Sequence, residues 1–246
     1  MKTIQSLFVL PLFMWVAADI DSQGPPHGTN QRASMDLRTT LREYPVEIGA
    51  YWEYDVDQTW LEDSDRCRGT GKSTVKIEDV QDGNGGRVAS ASKVTVVSEI
   101  KNISHGPSDH CRDWAGDTDL PWTIVVVAGK VYEGSVFAED LISRVLKEGV
   151  APMEERGILP DYVMPLEDGT MWMSKTELRR VTGIGAVQTP AGLFPHCFKL
   201  SREWRTGTNR PNQETFCSGV GTVQGHYEEA HSTTDFTLRS FGRKSR

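Results

Sequence analysis

The chain has 246 residues, with 27 basic and 34 acidic side chains and a formal net charge of −7. This acidic balance argues against nucleic acid or an anionic membrane surface as the main partner, because both attract basic proteins. The length allows one large domain or two smaller ones with adequate cores.

The first segment, residues 1–18, has the pattern of a secretory signal peptide. Lys2 gives a weak positive start, Leu7 to Val16 is apolar apart from one proline, and Val16 to Ala18 offers small residues for cleavage. The apolar run is shorter than the roughly 20 residues of a membrane-spanning helix. An uncleaved anchor or a buried helix is the alternative. We therefore expect a periplasmic or secreted protein with no integral membrane span.

The mature chain divides into four predicted regions. A polar stretch with Pro and Gly, residues 19–40, predicts a disordered lead-in. A first β-rich half follows at residues 41–160, with a helix near 136–148. A second β-rich half spans residues 161–242, and a short tail covers 243–246.

One eight-residue pattern opens both halves. Pro45 to Trp52 and Pro165 to Trp172 share Pro, Glu, Gly and Trp at the same offsets. Proline fixes φ at the start of a turn, glycine supplies a positive φ near its end, and tryptophan enters a strand. The internal repeat predicts two related halves that each begin with a turn into a strand.

The first half shows period-two alternation. Trp52, Tyr54 and Val56 share one face of a strand, and acidic residues take the other. Further predicted strands are 74–80 and 87–100 around a glycine-rich turn, and 122–128 and 131–132 across Gly129-Lys130.

One amphipathic helix is predicted, with Ser135 at its start and Gly149 at its end. The segment from Ala151 to Asp161 carries two prolines and is predicted to connect the halves. The apolar stripe of the helix is formed by Phe137, Leu141, Ile142, Val145 and Leu146.

The second half contains five strand-like runs. They are 178–184, 193–204, 214–217, 222–227 and 235–241. Many strands with short turns and one helix predict a mainly β protein: a curled antiparallel sheet, open or a half barrel, from two related halves with one covering helix.

Four cysteines lie in the mature chain: Cys67, Cys111, Cys197 and Cys217. An even number in an exported chain predicts two disulfides, for which three connectivities are possible. We favour Cys197–Cys217, because both lie in strand-like runs around the polar stretch 206–212 and would face each other in a hairpin. Cys67–Cys111 is then the remaining pair.

Three short motifs resemble those of exported bacterial β-rich proteins of unassigned function. Val187 to Leu200 resembles V-x-T-P-A-G-x-F-x-x-C-x-x-V, Cys217 to Val223 resembles A-P-G-V-G-x-V, and Pro45 to Tyr54 resembles P-L-x-x-G-x-x-W-x-Y. The chain departs from the pattern at Ser218, where proline is usual. The family is more distantly similar to curled-sheet periplasmic proteins of the lipoprotein-carrier kind. This resemblance implies a curled sheet and brings no catalytic residues.

Metal and catalytic patterns are weak, so no cofactor, metal site or catalytic residue is predicted. An acidic run around Trp60 lacks the EF-hand order. Ser218 lacks the nucleophile-elbow pattern, and the odd spacing of His226 and His231 places them on opposite faces of a strand. A polar loop groups candidate ligands without a metal-binding spacing: His105, His110, Cys111, Asp113, Asp117 and Asp119.

Four tryptophans lie in or beside predicted strands: Trp52, Trp122, Trp172 and Trp204. They fill a core or line a concave sheet face that holds an apolar ligand. The leading hypothesis is an exported non-enzymatic binding protein for an apolar small molecule. The alternatives are an interaction module for another envelope protein and a hydrolase with an unrecognised carboxylate or metal site.

Overall fold

The computed structural model describes residues 36–62, 65–104, 111, 120–135, 137–174, 177–204, 212–229 and 231–243. The predicted signal peptide and most of the predicted lead-in lie outside these residues. The helices of the described part are α1 (Leu37–Glu43), α2 (Glu139–Glu148) and α3 (Ala151–Glu155). The strands are β1 (Ala50–Glu62), β2 (Asp65–Asp82), β3 (Gly86–Asn102), β4 (Leu120–Val127), β5 (Lys130–Gly134), β6 (Tyr162–Val163), β7 (Met171–Ser174), β8 (Glu177–Thr189), β9 (Gly192–Trp204), β10 (Asn212–Cys217), β11 (Gly221–Glu228) and β12 (Ser232–Arg243).

All of these strands belong to one antiparallel sheet. Sheet order follows chain order from β1 to β6 and from β7 to β12, and β12 pairs with β1. The edge strands are therefore β6 and β7. The sheet curls into a nearly closed barrel, which confirms the predicted fold class. A common origin of the two halves stays a prediction.

The two Pro-to-Trp segments form turns of the same geometry. Gly49 and Gly169 have φ values of 80° and 79°, which glycine adopts without steric cost. Each turn leads directly into a strand, β1 in the first case and β7 in the second. The two turns also make equivalent backbone hydrogen bonds, all 2.9 or 3.0 Å long. The N–H of the glycine donates to a neighbouring strand (Gly49 to Ile77, Gly169 to Val181), and the N–H of the next residue donates to the carbonyl of the glutamate (Ala50 to Glu47, Thr170 to Glu167).

Both faces of the sheet are buried at β4, which explains its uninterrupted apolar run. Ile124 and Val126 point into the curled sheet, where they join the main core. Val125 and Val127 point outward and pack under α2 and α3. The helical side of this second cluster includes the buried residues Leu141, Val145 and Met153. The covering helix predicted near 136–148 is thus α2.

The helices differ from the predictions at three points. α2 begins at Glu139 rather than near Ser135, while Gly149 ends it with a φ of 76°. The predicted lead-in extends too far, because α1 occupies its last residues and Asp36 caps that helix. α3 lies in the segment predicted as a plain connection. Proline at the first turn does not break a helix, so Pro152 is compatible with α3.

Two strand boundaries also differ. β4 and β5 meet across Ala128 and Gly129, one residue earlier than predicted, with Val127 and Lys130 as register partners. Gly129 takes the second turn position with a φ of 73°. β12 includes Arg243, whereas the sequence pattern predicts that residue in the tail. Among the described residues, none of the helices combines the length and apolar character that crossing a membrane requires.

Candidate functional site

A cavity of about 460 Å³ lies within the curled sheet. Every strand except β7 and β8 contributes to its lining. Ligand-binding cavities typically measure about 300–1,000 Å³. The interior of the sheet therefore has room for a small molecule.

One wall of the cavity is apolar and aromatic. Trp52 is 8% exposed, and its indole Nε1–H donates to the carbonyl oxygen of Val220 at 2.7 Å. This bond satisfies the polar end of the ring and leaves its apolar surface for the cavity. The wall comprises Trp52, Tyr54, Val56, Val75, Trp122, Ile124 and Phe236.

Helix α1 is anchored next to one end of the cavity. The hydroxyl of Thr40 accepts from the Gly129 N–H at 2.9 Å, and the carbonyl of Glu43 accepts from the Gly219 N–H at 2.9 Å. These bonds fix α1 to the β4–β5 turn and the β10–β11 turn. Tyr44 follows α1 directly and lines the cavity.

The opposite end of the cavity is open to solvent. Gln58 and Thr234 are register partners on β1 and β12, and both are only half-buried. Glu229 lines the same end and is exposed. The mouth is therefore polar, whereas the apolar wall lies deeper.

The structure brings together two of the four predicted tryptophans. Trp52 and Trp122 both line the cavity. Trp172 is not part of the lining, and its Nε1–H donates to the carbonyl of Pro160 at 3.3 Å. Trp204 ends β9, and its side chain lies outside the described part.

A chain of buried charges crosses the interior beside the cavity. Arg179, with a side chain 4% exposed, donates to the carbonyl of Asp161 at 2.7 Å and to its carboxylate at 3.3 Å. One carboxylate oxygen of Glu177 lies 3.8 Å from both Arg179 and Arg202. Arg202 pairs in turn with Glu214. Each charge in this row has an opposite charge next to it, which a buried ion requires.

Glu214 is the most fully satisfied member of that row. Its carboxylate accepts the hydroxyl of Tyr162 at 2.9 Å and the hydroxyl of Tyr227 at 2.5 Å, in addition to its contact with Arg202. The guanidinium of Arg202 lies over the Tyr227 ring at 4.9 Å. Burial raises the pKa of Tyr227 to about 12, so its hydroxyl remains a donor near neutral pH.

The same residues join the two edges of the sheet. Among the described residues no backbone pairing links β6 to β7. Asp161 immediately precedes β6, and Arg179 lies on β8 beside β7. The Arg179–Asp161 pair and the Trp172–Pro160 hydrogen bond therefore span the seam with side chains.

Apart from Glu229 at the mouth, Lys93 and Glu133 are the remaining charged residues of the lining. Lys93 lies on β3 opposite Val75, contributes to the lining and is itself an exposed residue. Burial lowers its pKa, and the negative charge of Glu133 opposes this shift. Glu133 accepts the hydroxyl of Tyr44. Burial, followed by the charge of Asp161, raises the pKa of Glu133, while Tyr44 and the two interior arginines oppose the shift.

Glu133→Gln should make the protein more stable at neutral and alkaline pH. Because the folded-state pKa of Glu133 is raised, its stabilising contribution is present below the unfolded pKa and is lost as pH rises through the folded pKa. We expect the melting temperature of the variant to exceed that of the wild type at about pH 8, and the difference to shrink towards about pH 4. Glu78→Gln, at an exposed position, is the control. A pH-independent difference between Glu133→Gln and wild type would contradict the prediction.

Both predicted disulfides are confirmed. Cys67 is bonded to Cys111, and Cys197 is bonded to Cys217. Cys197 and Cys217 are register partners on β9 and β10, as the hairpin argument requires. Disulfides are typical of proteins that fold in oxidising compartments.

The weak catalytic candidates are not brought together in the described part of the chain. Of the weak metal candidates, Glu62 lies beside the Cys67–Cys111 disulfide, and the possible ligand atoms of these three residues are within 4.8 Å of one another. Cys111 is in a disulfide, and the other candidates of its loop lie outside the described residues. Ser218 donates to Glu43. His226 pairs with Asp235 at 2.7 Å. The acidic residues of β1 pair with arginines, for example Asp55 with Arg239 at 2.9 Å.

Sequence reasoning did not select the charged interior residues, although a signal was present. Arg179 shares its strand face with Val181, which is 1% exposed. Arg202 likewise shares a face with buried Leu200. A charged residue two positions from a core residue on a strand is placed on the same face. A charged residue is wrongly predicted to face outward when its charge is considered and its position in the alternation of the strand is ignored.

No family model and no curated protein matches the chain. Several solved structures are similar to it, and two of them follow. A candidate lipoprotein from Parabacteroides distasonis ATCC 8503 is 10% identical, covers 86% of this chain and 100% of its own, and has a TM-score of 0.39. A candidate exported protein with a YmcC-like fold from Bacteroides fragilis NCTC 9343 is 14% identical to this chain. The similarity covers 81% of this chain and 98% of the other, with a TM-score of 0.39. Similarities at this level assign no function to the chain.

Proposed function

We propose that this chain is an exported, non-enzymatic binding protein of the cell envelope or medium that holds an apolar small molecule in its interior cavity. The observation that carries the proposal is the cavity of about 460 Å³ with an aromatic wall and an opening to solvent. A preformed, mostly apolar concavity with a few polar groups is the usual form of a small-molecule site.

The chemistry of the lining supports binding rather than catalysis. Glu214 and Arg202 neutralise each other, and two tyrosine hydroxyls complete the coordination of the Glu214 carboxylate. A carboxylate engaged in this way has little capacity to accept a proton from a substrate. The signal-like N-terminus and the two disulfides support a periplasmic or secreted location.

Native mass spectrometry tests the proposal directly. The mature protein, purified from the envelope or medium of its own host, is measured before and after denaturation. We expect a released mass in the range of a small apolar molecule. A bare protein, in its two-disulfide form, would contradict the proposal and favour the interaction module with another envelope protein.

Trp122→Ala should reduce the amount of co-purified ligand several-fold, because it removes an aromatic surface of the cavity wall. Trp172→Ala is the matched control, since that side chain is partly buried but does not line the cavity. The ratio of bound to free protein in native mass spectra measures the effect. Equal loss of ligand in both variants would indicate a general effect of destabilisation and contradict a specific role for Trp122.

A further inference from the structure

The lining of the cavity carries more negative than positive charge. Its carboxylates belong to Glu133, Glu214 and Glu229, and its cations belong to Lys93 and Arg202. Glu214 and Arg202 neutralise each other in direct contact. Glu229 and Lys93 are exposed residues, so water hydrates their charges. Glu133 is therefore the charge of the lining that is neither paired nor fully hydrated.

The carboxylate of Glu133 has a neutral hydrogen-bond partner and further capacity to accept. It accepts the hydroxyl of Tyr44, and within the described part of the chain no lysine or arginine lies at ion-pair distance from it. An ionised carboxylate offers about four lone-pair positions to donors. Burial is the main cause that raises the pKa of Glu133, as expected for a carboxylate that loses water without gaining an adjacent cation.

Aromatic side chains flank this carboxylate. The register places Tyr162 of β6 diagonally across from Glu133 on one side and Trp122 of β4 diagonally across on the other. Diagonal neighbours of an antiparallel pair lie within reach of aromatic and long side chains. The ring of Tyr44 lies 5.5 Å from the ring of Tyr162, and all three aromatic residues line the cavity.

A carboxylate among aromatic rings suits a positively charged organic group. Aromatic rings attract a cation that lies within about 6 Å of the ring centre, and tryptophan does so most strongly. The carboxylate adds a full opposite charge and free acceptor positions. Both attractions act together only on a cation.

We propose that the ligand of this cavity is a cationic amphiphile, with an alkylammonium or quaternary ammonium group at Glu133 and its hydrocarbon part against the apolar wall that includes Trp52. This inference rests on the proposed function and adds the chemical class of the ligand. The shared chemistry of the two head groups is an organic cation.

The lysine of the lining does not take the place of this cation. On β3, Lys93 lies four residues beyond Ala89, which is in one row with Ile124 and Glu133. Four residues correspond to about 13 Å along a strand. The charges of Lys93 and Glu133 accordingly act on each other at longer range, without a direct contact.

Other head groups fit the site less well. An anionic head group would meet Glu133 with like charge. A hydroxyl group would donate one hydrogen bond to Glu133 but would leave its charge uncompensated and would displace water from it. A purely apolar ligand would do the same without any hydrogen bond.

Isothermal titration calorimetry with four ligands of one chain length tests this inference. The ligands are octylamine, octyltrimethylammonium, octan-1-ol and octanoate, each titrated into the delipidated full-length mature protein. A pH of about 8 keeps the amine protonated, because alkylamines have a pKa of about 10. The variant is Glu133→Gln, which keeps the shape of the side chain and removes its charge. Glu78→Gln makes the same change at an exposed position and is the control.

We expect at least one of the two cations to bind the wild type about tenfold or more tightly than octan-1-ol, the size of one charged hydrogen bond. Octanoate should bind more weakly than the alcohol. Glu133→Gln should remove the preference for the cation, while Glu78→Gln should retain it. A preference between the two cations distinguishes a ligand that donates a hydrogen bond to Glu133 from one held by charge and aromatic rings alone.

Three results would overturn the inference, and they differ in what they leave standing. If octan-1-ol binds the wild type as tightly as both cations, the cavity binds apolar ligands without selecting charge, and the proposed function stands alone. If none of the four ligands binds, the proposed function fails together with the inference. If the preference for a cation survives in Glu133→Gln, another residue holds the head group. Melting temperatures measured in parallel show that each variant is folded under the conditions of the titration.

Discussion

Arg179→Met should lower the free energy of unfolding by about 3–5 kcal/mol, the usual cost of removing one partner from a buried ion pair. The guanidinium is 4% exposed and donates both to the carbonyl and to the carboxylate of Asp161. Its loss leaves the Asp161 carboxylate without its cation and weakens the row of charges at Glu177. Urea denaturation with intact disulfides measures the change.

Arg180→Met is the matched control for this experiment. Arg180 is the next residue on β8, points outward, and is 46% exposed in an ion pair with Glu203 at 3.7 Å. Exposed pairs of this kind contribute about 0–1 kcal/mol. Adding Asp161→Asn to Arg179→Met should recover part of the loss, since it removes the uncompensated charge. If the two arginine variants lose the same stability, side chains do not hold the seam between β6 and β7.

The connection of β6 to β7 through side chains has a structural reason. An antiparallel sheet that closes through backbone pairing has no edges, whereas β6 and β7 end the sheet as short strands. Side chains span the gap in place of a ladder of backbone hydrogen bonds. The Arg179–Asp161 pair supplies a directed ionic contact there, and Trp172 supplies apolar area and one hydrogen bond.

Local patterns in the sequence predict much of the fold. The alternation of β1 places Trp52, Tyr54 and Val56 on one face, and all three line the cavity. The polar stretch between Cys197 and Cys217 predicts the hairpin in which these cysteines are register partners. These features depend on residues close in sequence, so the period of the apolar residues and the positions of the turn-forming residues are enough to predict them.

The candidate site is less accessible to sequence reasoning because it depends on contacts between distant strands. On β3, Val94 and Val96 are 38% and 56% exposed, while Lys93 points into the cavity. Apolarity alone would predict that Val94 and Val96 face the cavity and that Lys93 faces outward. The face is set instead by Ala89 and Ala91, which are buried in the main core. Small residues carry little hydrophobic signal, so the orientation of Lys93 follows only from the register with β2 and β4.

Phe216→Ala should lower the free energy of unfolding by about 3–5 kcal/mol, the usual range for truncating a buried phenylalanine. Phe216 is 1% exposed, and its ring lies 5.9 Å from the ring of Tyr44 and 5.4 Å from that of Tyr162. Both tyrosines line the cavity, so Phe216 packs directly behind them, at the end of the cavity next to α1. Thermal or urea denaturation measures the loss.

Phe241→Ala provides the comparison, because it deletes the same side chain at a position that is 39% exposed and contacts Phe194 at a ring distance of 5.6 Å. A loss of less than about 1.5 kcal/mol is expected there, since little apolar area leaves the core.

The comparison of Phe216→Ala with Phe241→Ala also tests the shape of the cavity. If α1 packs tightly over this end of the cavity, Phe216→Ala leaves a void that water does not fill readily, and the loss in the free energy of unfolding is large. If Phe216→Ala costs no more than Phe241→Ala, water reaches this end and the cavity is open at both ends.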